Sequence, residues 1–113
     1  MASIGVIGSG TWGTALAVLL HGNGHQVVIW SAIPEEIKEL KATHAHRNLP
    51  EVEIPEAIGF TDDLEEAMED KDLLVLAVPS VFVRSTAKRM KAYLRPGQVI
   101  ANVAKGIEEH TLM

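Results

Sequence analysis

The sequence predicts an α/β chain folded as an open, doubly wound parallel sheet, and three observations carry that expectation. Apolar runs of strand length alternate with amphipathic or Ala/Leu-rich segments of helix length along the whole chain. Gly8, Gly10 and Gly13 separate the first run from the first helix in G-x-G-x-x-G spacing, with a second apolar run about twenty residues on. The runs are rich in Val, Ile and Leu with little polar alternation, as parallel strands covered on both faces require.

Composition narrows the class. The 113 residues suffice for one domain with a buried core and are too few for a second sizeable one, so residues 1–113 are read as a single domain. A formal net charge of −5 argues against a general nucleic-acid or anionic-membrane surface, while leaving room for a local phosphate site. There is no cysteine, which excludes disulfides, thiolate nucleophiles and Cys-based metal sites and fits a reducing compartment. Met1-Ala2-Ser3 leads directly into the first apolar run without a basic leader, and Leu73 to Val78 is too short to span a bilayer. A soluble, cytoplasmic protein is expected.

Ser3 to Ile7 reads as the first strand. At the turn that follows, Gly8 allows the bend, Gly10 lets backbone approach a pyrophosphate without an intervening Cβ, and Gly13 allows close packing of helix on strand. Ser9 belongs to the same turn. Thr14 to Leu20 is almost free of polar residues and predicts a first helix buried on most sides, ended by Gly22-Asn23-Gly24. Gln26 to Trp30 is the second strand. Pro34 at a first turn, Glu35 and Glu36 behind it, and Ile37 and Leu40 inside predict a surface helix, the two glutamates acting as favourable N-terminal charge.

Thr43 to Pro55 contains two prolines and no sustained period, and is expected to be a loop. Ile58 to Thr61 predicts a short third strand, and Asp62-Asp63-Leu64-Glu65 an N-capped helix with Leu64, Ala67 and Met68 inside. Asp72 to Val78 is a continuous apolar strand ended by Pro79. Ser80 then opens a helix whose expected inner stripe is Val83, Ala87, Met90 and Leu94, with Arg84, Lys88, Arg89 and Lys91 outside. Gln98 to Val103 is the fifth strand.

Ligands of such sheets bind across the carboxyl ends of the strands, at the point where strand order reverses. The glycine turn, Ser31, the segment Pro79 to Phe82, and Lys105 all fall on that edge. Phe82 lies off the expected inner stripe, where its ring either covers a ligand or packs under a neighbouring loop. Lys105 serves there as a point charge for a phosphate or carboxylate, or as an ordinary surface lysine. After the second strand, Ser31-Ala32-Ile33 offers neither the acidic residue that selects NAD nor the arginine that selects NADP. The five histidines show no metal-ligand spacing, and no acid, base and nucleophile are grouped, so neither a metal site nor a catalytic residue is assigned.

The segment Gly8-Ser9-Gly10-Thr11-Trp12-Gly13-Thr14-Ala15-Leu16-Ala17 resembles the opening motif of the bacterial type of NAD(P)-dependent glycerol-3-phosphate dehydrogenase, including the aromatic before the third glycine. Asn23-Gly24-His25, Trp30, Asn48-Leu49-Pro50, Ala77-Val78-Pro79-Ser80 and Ala104-Lys105-Gly106-Ile107-Glu108 resemble that family in the same order, and together they cover essentially the whole chain. The resemblance implies a Rossmann-like cofactor domain binding NAD or NADP, with Gly8, Ser9, Gly10, Thr11, Trp12 and Gly13 around the pyrophosphate. It further implies contacts from Ser31, Ala32, Pro79 and Phe82, and from Lys105 to both the nicotinamide side and the substrate phosphate. Ala32 stands where the family usually has a basic residue, and Thr43 to Pro50 lacks the family's tyrosine.

The implied activity of the intact enzyme is reversible hydride transfer between NAD(P)H and dihydroxyacetone phosphate, giving sn-glycerol 3-phosphate for phospholipid synthesis. Members of the family are much longer, with a helical second domain that supplies the acid/base lysine and through which a homodimer would form. This chain is therefore expected to be part of a longer enzyme and inactive alone. The alternatives are the domain of a related dehydrogenase acting on another small substrate, and a non-catalytic dinucleotide-sensing module.

Overall fold

The computed structural model describes residues 2–46, 49–78 and 80–103, so Pro79 and Lys105 lie outside the described residues. The elements follow in the order β1 (Ser3–Ile7), α1 (Thr11–Gly22), β2 (Gln26–Trp30), α2 (Pro34–Thr43), β3 (Ala45–His46), β4 (Leu49–Glu53), β5 (Gly59–Thr61), α3 (Leu64–Met68), β6 (Leu73–Leu76), α4 (Ser80–Lys91) and β7 (Val99–Asn102). Five strands form one sheet in the order β5-β2-β1-β6-β7, with every adjacent pair parallel. Ile7 is level with Trp30 on one side and with Leu76 on the other, so the carboxyl ends of β1, β2 and β6 share an edge. Strand order reverses between β1 and β6. The crevice at that reversal is where an open sheet of this kind takes a ligand.

Alternation along the strands divides the core between the two faces. Ile4 and Val6, Val27 and Ile29, and Val75 and Ala77 pack on one face with Ala17 of α1 and with Ile37 and Leu40 of α2. Ile7, Trp30, Leu74 and Leu76 pack on the other with Leu64, Ala67 and Met68 of α3 and Met90 of α4. Asp63 caps α3, its carboxylate accepting from the N–H groups of Glu65 at 3.0 Å and Glu66 at 3.4 Å. Gln98 ties the end of α3 to the start of β7, donating to the Met68 and Lys71 carbonyls at 2.7 and 3.0 Å.

Three expectations change. Thr43 to Pro55 is not simply a loop, because β3 and β4 form an antiparallel two-stranded ribbon with a register shift between Ala45 and His46. A two-residue strand leaves no readable period, and the ribbon accommodates Pro50 because among the described residues no third strand pairs with it to demand every N–H. α1 runs from Thr11 and buries one face only: Thr14 and Ala17 are inside, whereas Leu19 is 60% exposed. One layer of sheet lies under α1, and a helix on a sheet surface covers only the stripe that faces it. α4 stops at Lys91, where the Ala92 and Tyr93 N–H groups bond three residues back, so Leu94 falls beyond the helix and is partly exposed. Thr86, four residues before Met90, is buried in its place, while Val83 and Ala87 are half-buried.

Gly5, inside β1, makes room for α3, since a Cβ there would run into the Ala67 carbonyl oxygen and come within 3.1 Å of Leu74 Cδ2. Gly5→Ala is therefore expected to lower stability by about 1–3 kcal/mol through overpacking. Gly22, with open space around it at the end of α1, gains up to about 1 kcal/mol on replacement by Ala. Denaturant unfolding of the two variants checks both signs.

Candidate functional site

The turn from β1 into α1 is shaped by backbone that leaves no room for side chains. Gly8 has φ 136°, and its N–H donates to the Trp30 carbonyl at 2.9 Å. A Cβ on Gly8 would lie 2.8 Å from the Ala77 carbonyl carbon and oxygen, so β6 passes directly behind the turn. A Cβ on Gly13 would lie 2.6 Å from the Gly8 carbonyl oxygen and 3.3 Å from Ala77 Cβ. These two glycines are demanded by packing. Gly10 is different: it has φ −65° and ψ 178°, which any residue adopts, and a Cβ there would meet nothing within 4 Å. It is the N-cap of α1 with no side-chain cap, and the first N–H groups of a helix have no partners within it.

A cavity of about 410 Å³ opens in front of this turn. Gly8, Ser9 and Gly10 line it, together with Trp30, Ser31, Ala32 and Ile33 at the end of β2, Glu36 of α2, and Ala77 and Val78 after β6. Phe82, Ser85, Thr86 and Arg89 of α4 complete the wall. Of the residues expected at the site, Gly8, Ser9, Gly10, Ser31, Ala32 and Phe82 therefore line one cavity, and Gly13 lies behind it. Thr11 and Trp12 open α1, although their side chains are not among those described.

Phe82 is 56% exposed at the cavity wall. Among the described residues no loop buries it.

Reading the helix for its inner stripe missed the cavity face of α4. The signal was present, because 82, 85, 86 and 89 recur at i, i+3, i+4 and i+7 and form a second stripe beside the buried one. Arg89 is on it, its guanidinium carbon 5.3 Å from the centroid of the Trp30 ring, within cation–π range. Trp30 is 2% exposed, and its buried Nε1 has no hydrogen-bond partner among the described residues.

Glu36 also has more than the helix-end role expected of it. The Ser31 hydroxyl donates to Glu36 Oε2 at 2.8 Å and accepts from the Ile33 N–H at 3.1 Å, which draws the carboxylate to the end of β2. The same arrangement recurs after β5, where Thr61 Oγ1 donates to Glu66 Oε2 at 3.2 Å and accepts from the Asp63 N–H at 3.0 Å. It is thus a general strand-to-helix connector here, and Glu36 is the copy that lines the cavity.

Among the described residues no group of His, Asp and Glu is arranged to hold a metal ion, and no helix is long and apolar enough to cross a membrane. His44 is structural: it closes α2 at φ 49° and packs edge-on against Phe60 with ring centroids 5.6 Å apart.

Residues 3–113 match the family described as NAD-dependent glycerol-3-phosphate dehydrogenase N-terminus. The chain belongs to this family. A glycerol-3-phosphate dehydrogenase (NAD(P)+) from Lactobacillus delbrueckii subsp. bulgaricus is 54% identical over 113 residues, covering 100% of the chain and 34% of the relative. One from Agathobacter rectalis is also 54% identical, with the same coverage. The crystal structure of glycerol-3-phosphate dehydrogenase from Coxiella burnetii superposes with a TM-score of 0.84 at 30% identity, over 89% of this chain and 31% of that one. The chain thus spans about a third of the length of the dehydrogenases it matches. Within the family, the glycine turn and the cavity before it belong to the N-terminal part.

Gly8→Ala combines a strained φ with a backbone clash and is expected to destabilise the fold by about 1–3 kcal/mol. Phe82→Ala, which truncates an exposed ring, should change stability by less than about 0.5 kcal/mol. Thermal unfolding monitored by circular dichroism distinguishes the two.

Proposed function

We propose that this chain is the dinucleotide-binding domain of a glycerol-3-phosphate dehydrogenase, spanning residues 1–113 and acting in the cytoplasm as part of a longer enzyme. The observation that carries the reading is Gly10. The fold does not require a glycine there, yet its bare backbone stands at the cavity mouth and at the uncapped start of α1. An anion fits this cradle, because unpaired N–H groups and the positive end of the helix dipole converge on it. The cavity beside it is wide enough for part of a dinucleotide and is lined by apolar groups with few polar ones, as cofactor sites are.

In this reading the backbone from Gly8 to Gly13 holds the pyrophosphate of NAD or NADP, with Thr11 and Trp12 in contact. Ser31 and Ala32 border the adenosine ribose, while Pro79 and Phe82 cover the cofactor from the β6 side. Lys105 touches the nicotinamide side and holds the substrate phosphate. When bound, the nicotinamide supplies or accepts the hydride exchanged with C2 of glycerol 3-phosphate or dihydroxyacetone phosphate. The residues of this chain bind, orient and exclude water, and such positioning converts an encounter between two molecules into a step within one complex. The proton that accompanies the hydride is handled outside this chain. The product, sn-glycerol 3-phosphate, feeds phospholipid synthesis.

Titration of the full-length protein with NADH, followed by tryptophan fluorescence, should show saturable binding, and no change at millimolar cofactor would overturn the reading. Gly10→Ala is expected to weaken NADH binding by about tenfold or more, close to 1.4 kcal/mol, while leaving the unfolding temperature unchanged. Lys105→Ala should raise the KM for dihydroxyacetone phosphate and lower kcat. Unchanged kinetics would remove Lys105 from the site.

A further inference from the structure

We propose that the Ser31–Glu36 pair makes this protein selective for NAD(H) over NADP(H), Glu36 accepting from the 2′-hydroxyl of the adenosine ribose and Ser31 holding it in position. The inference rests on the dinucleotide-binding reading above and deepens it.

In a doubly wound sheet, the end of the second strand meets the adenosine ribose. At that point this chain offers no cation, since Ser31, Ala32 and Ile33 are all uncharged. The acceptor comes instead from the first turn of α2. Glu36 lines the cavity, and the Ser31 hydroxyl donates to its Oε2 at 2.8 Å. Because the same hydroxyl accepts from the Ile33 N–H, its orientation is fixed from two sides and its one proton is committed to Glu36. Ser31 is therefore a positioning residue, and the carboxylate it holds retains acceptor capacity for a ribose hydroxyl. A 2′-phosphate at the same place would bring negative charge against negative charge.

Among the described residues the cation lining the cavity is Arg89, and it belongs to the other wall. It projects from α4 and rests over the Trp30 ring, 5.3 Å from the centroid. There it forms a flat surface against which an adenine can lie without regard to the 2′ substituent. Glu35 provides an internal control, having the same charge in the same helical turn without lining the cavity.

The test measures dissociation constants of NADH and NADPH for the full-length protein and its variants by fluorescence titration. The wild type should bind NADH at least about tenfold more tightly than NADPH, a like-charge effect at partly solvated distance. Glu36→Gln keeps an acceptor for the Ser31 hydroxyl, so folding is preserved, and the preference should fall to about threefold or less, mainly through tighter NADPH binding. Ser31→Ala should narrow it part of the way. Glu35→Gln should leave it unchanged, and Arg89→Ala should weaken both cofactors by the same factor.

Salt gives an opposite-signed check: screening of repulsion narrows the preference for NADH, whereas screening of an attraction between Arg89 and the 2′-phosphate would widen it. The proposal is overturned if the wild type binds NADPH as tightly as NADH, if Glu36→Gln leaves the ratio unchanged, or if Arg89→Ala selectively loses NADPH. Absence of saturable binding for either cofactor overturns it together with the dinucleotide reading. Equal binding of both overturns the selectivity alone.

Discussion

The structure depends on one close approach, where three segments distant in sequence meet with no room for an additional carbon. The turn at Gly8, the first helical turn at Gly13 and Ala77, just after β6, come so near one another that a Cβ on either glycine would press into main chain. This contact sets α1 directly over the sheet at the point where strand order reverses. It also sets the start of the helix, which has no side-chain cap, beside the cavity, so a packing constraint and a cavity wall share the same few atoms. Gly10 stands between the two constrained glycines without being constrained itself, which separates what the fold requires from what a ligand would require.

The two faces of the sheet contribute unequally to the cavity. The face carrying α1 and α2 buries Ile4, Val6, Val27 and Ile29 and supplies much of the aliphatic core. The face carrying α3 and α4 buries Trp30 beside Ile7 and Leu76, and Trp30 reaches the cavity wall with Arg89 across its ring. A large side chain in the core is thereby also a wall of the site. The strand-to-helix connectors show a related economy: a hydroxyl, an N–H two residues on and a carboxylate five residues on close the turns after both β2 and β5. The motif is structural wherever it occurs, and the copy at Ser31 and Glu36 is the one that lines the cavity.

Where the sequence misled, the cause was local. The ribbon of β3 and β4 has strands too short and too polar to carry a period, so Thr43 to Pro55 reads as a loop. In α4, the stripe through Val83, Ala87, Met90 and Leu94 is drawn by hydrophobicity alone, whereas the helix ends early and buries Thr86. Glu36 reads as helix-end charge because its sequence neighbours explain it fully. Its bond to Ser31 and its exposure to the cavity depend on how α2 leaves the end of β2, which is a matter of direction and not of composition.

By itself the sequence determined the parallel α/β class, the five main strands, the glycine turn and the family, because each is written in local terms: runs, spacings and a motif that includes Thr11 and Trp12. It also placed Ser31 and Phe82 on the correct edge, since strand ends in such a sheet fall on one side. Tertiary structure decided the strand order β5-β2-β1-β6-β7, the division of the core between two faces, and the meeting of Glu36 with Arg89 and Trp30 around one cavity. These depend on which elements become neighbours across many residues. That choice follows from crossover geometry and from the absence of side chains at Gly5, Gly8 and Gly13, whose reason becomes visible only once the opposing backbone is in place.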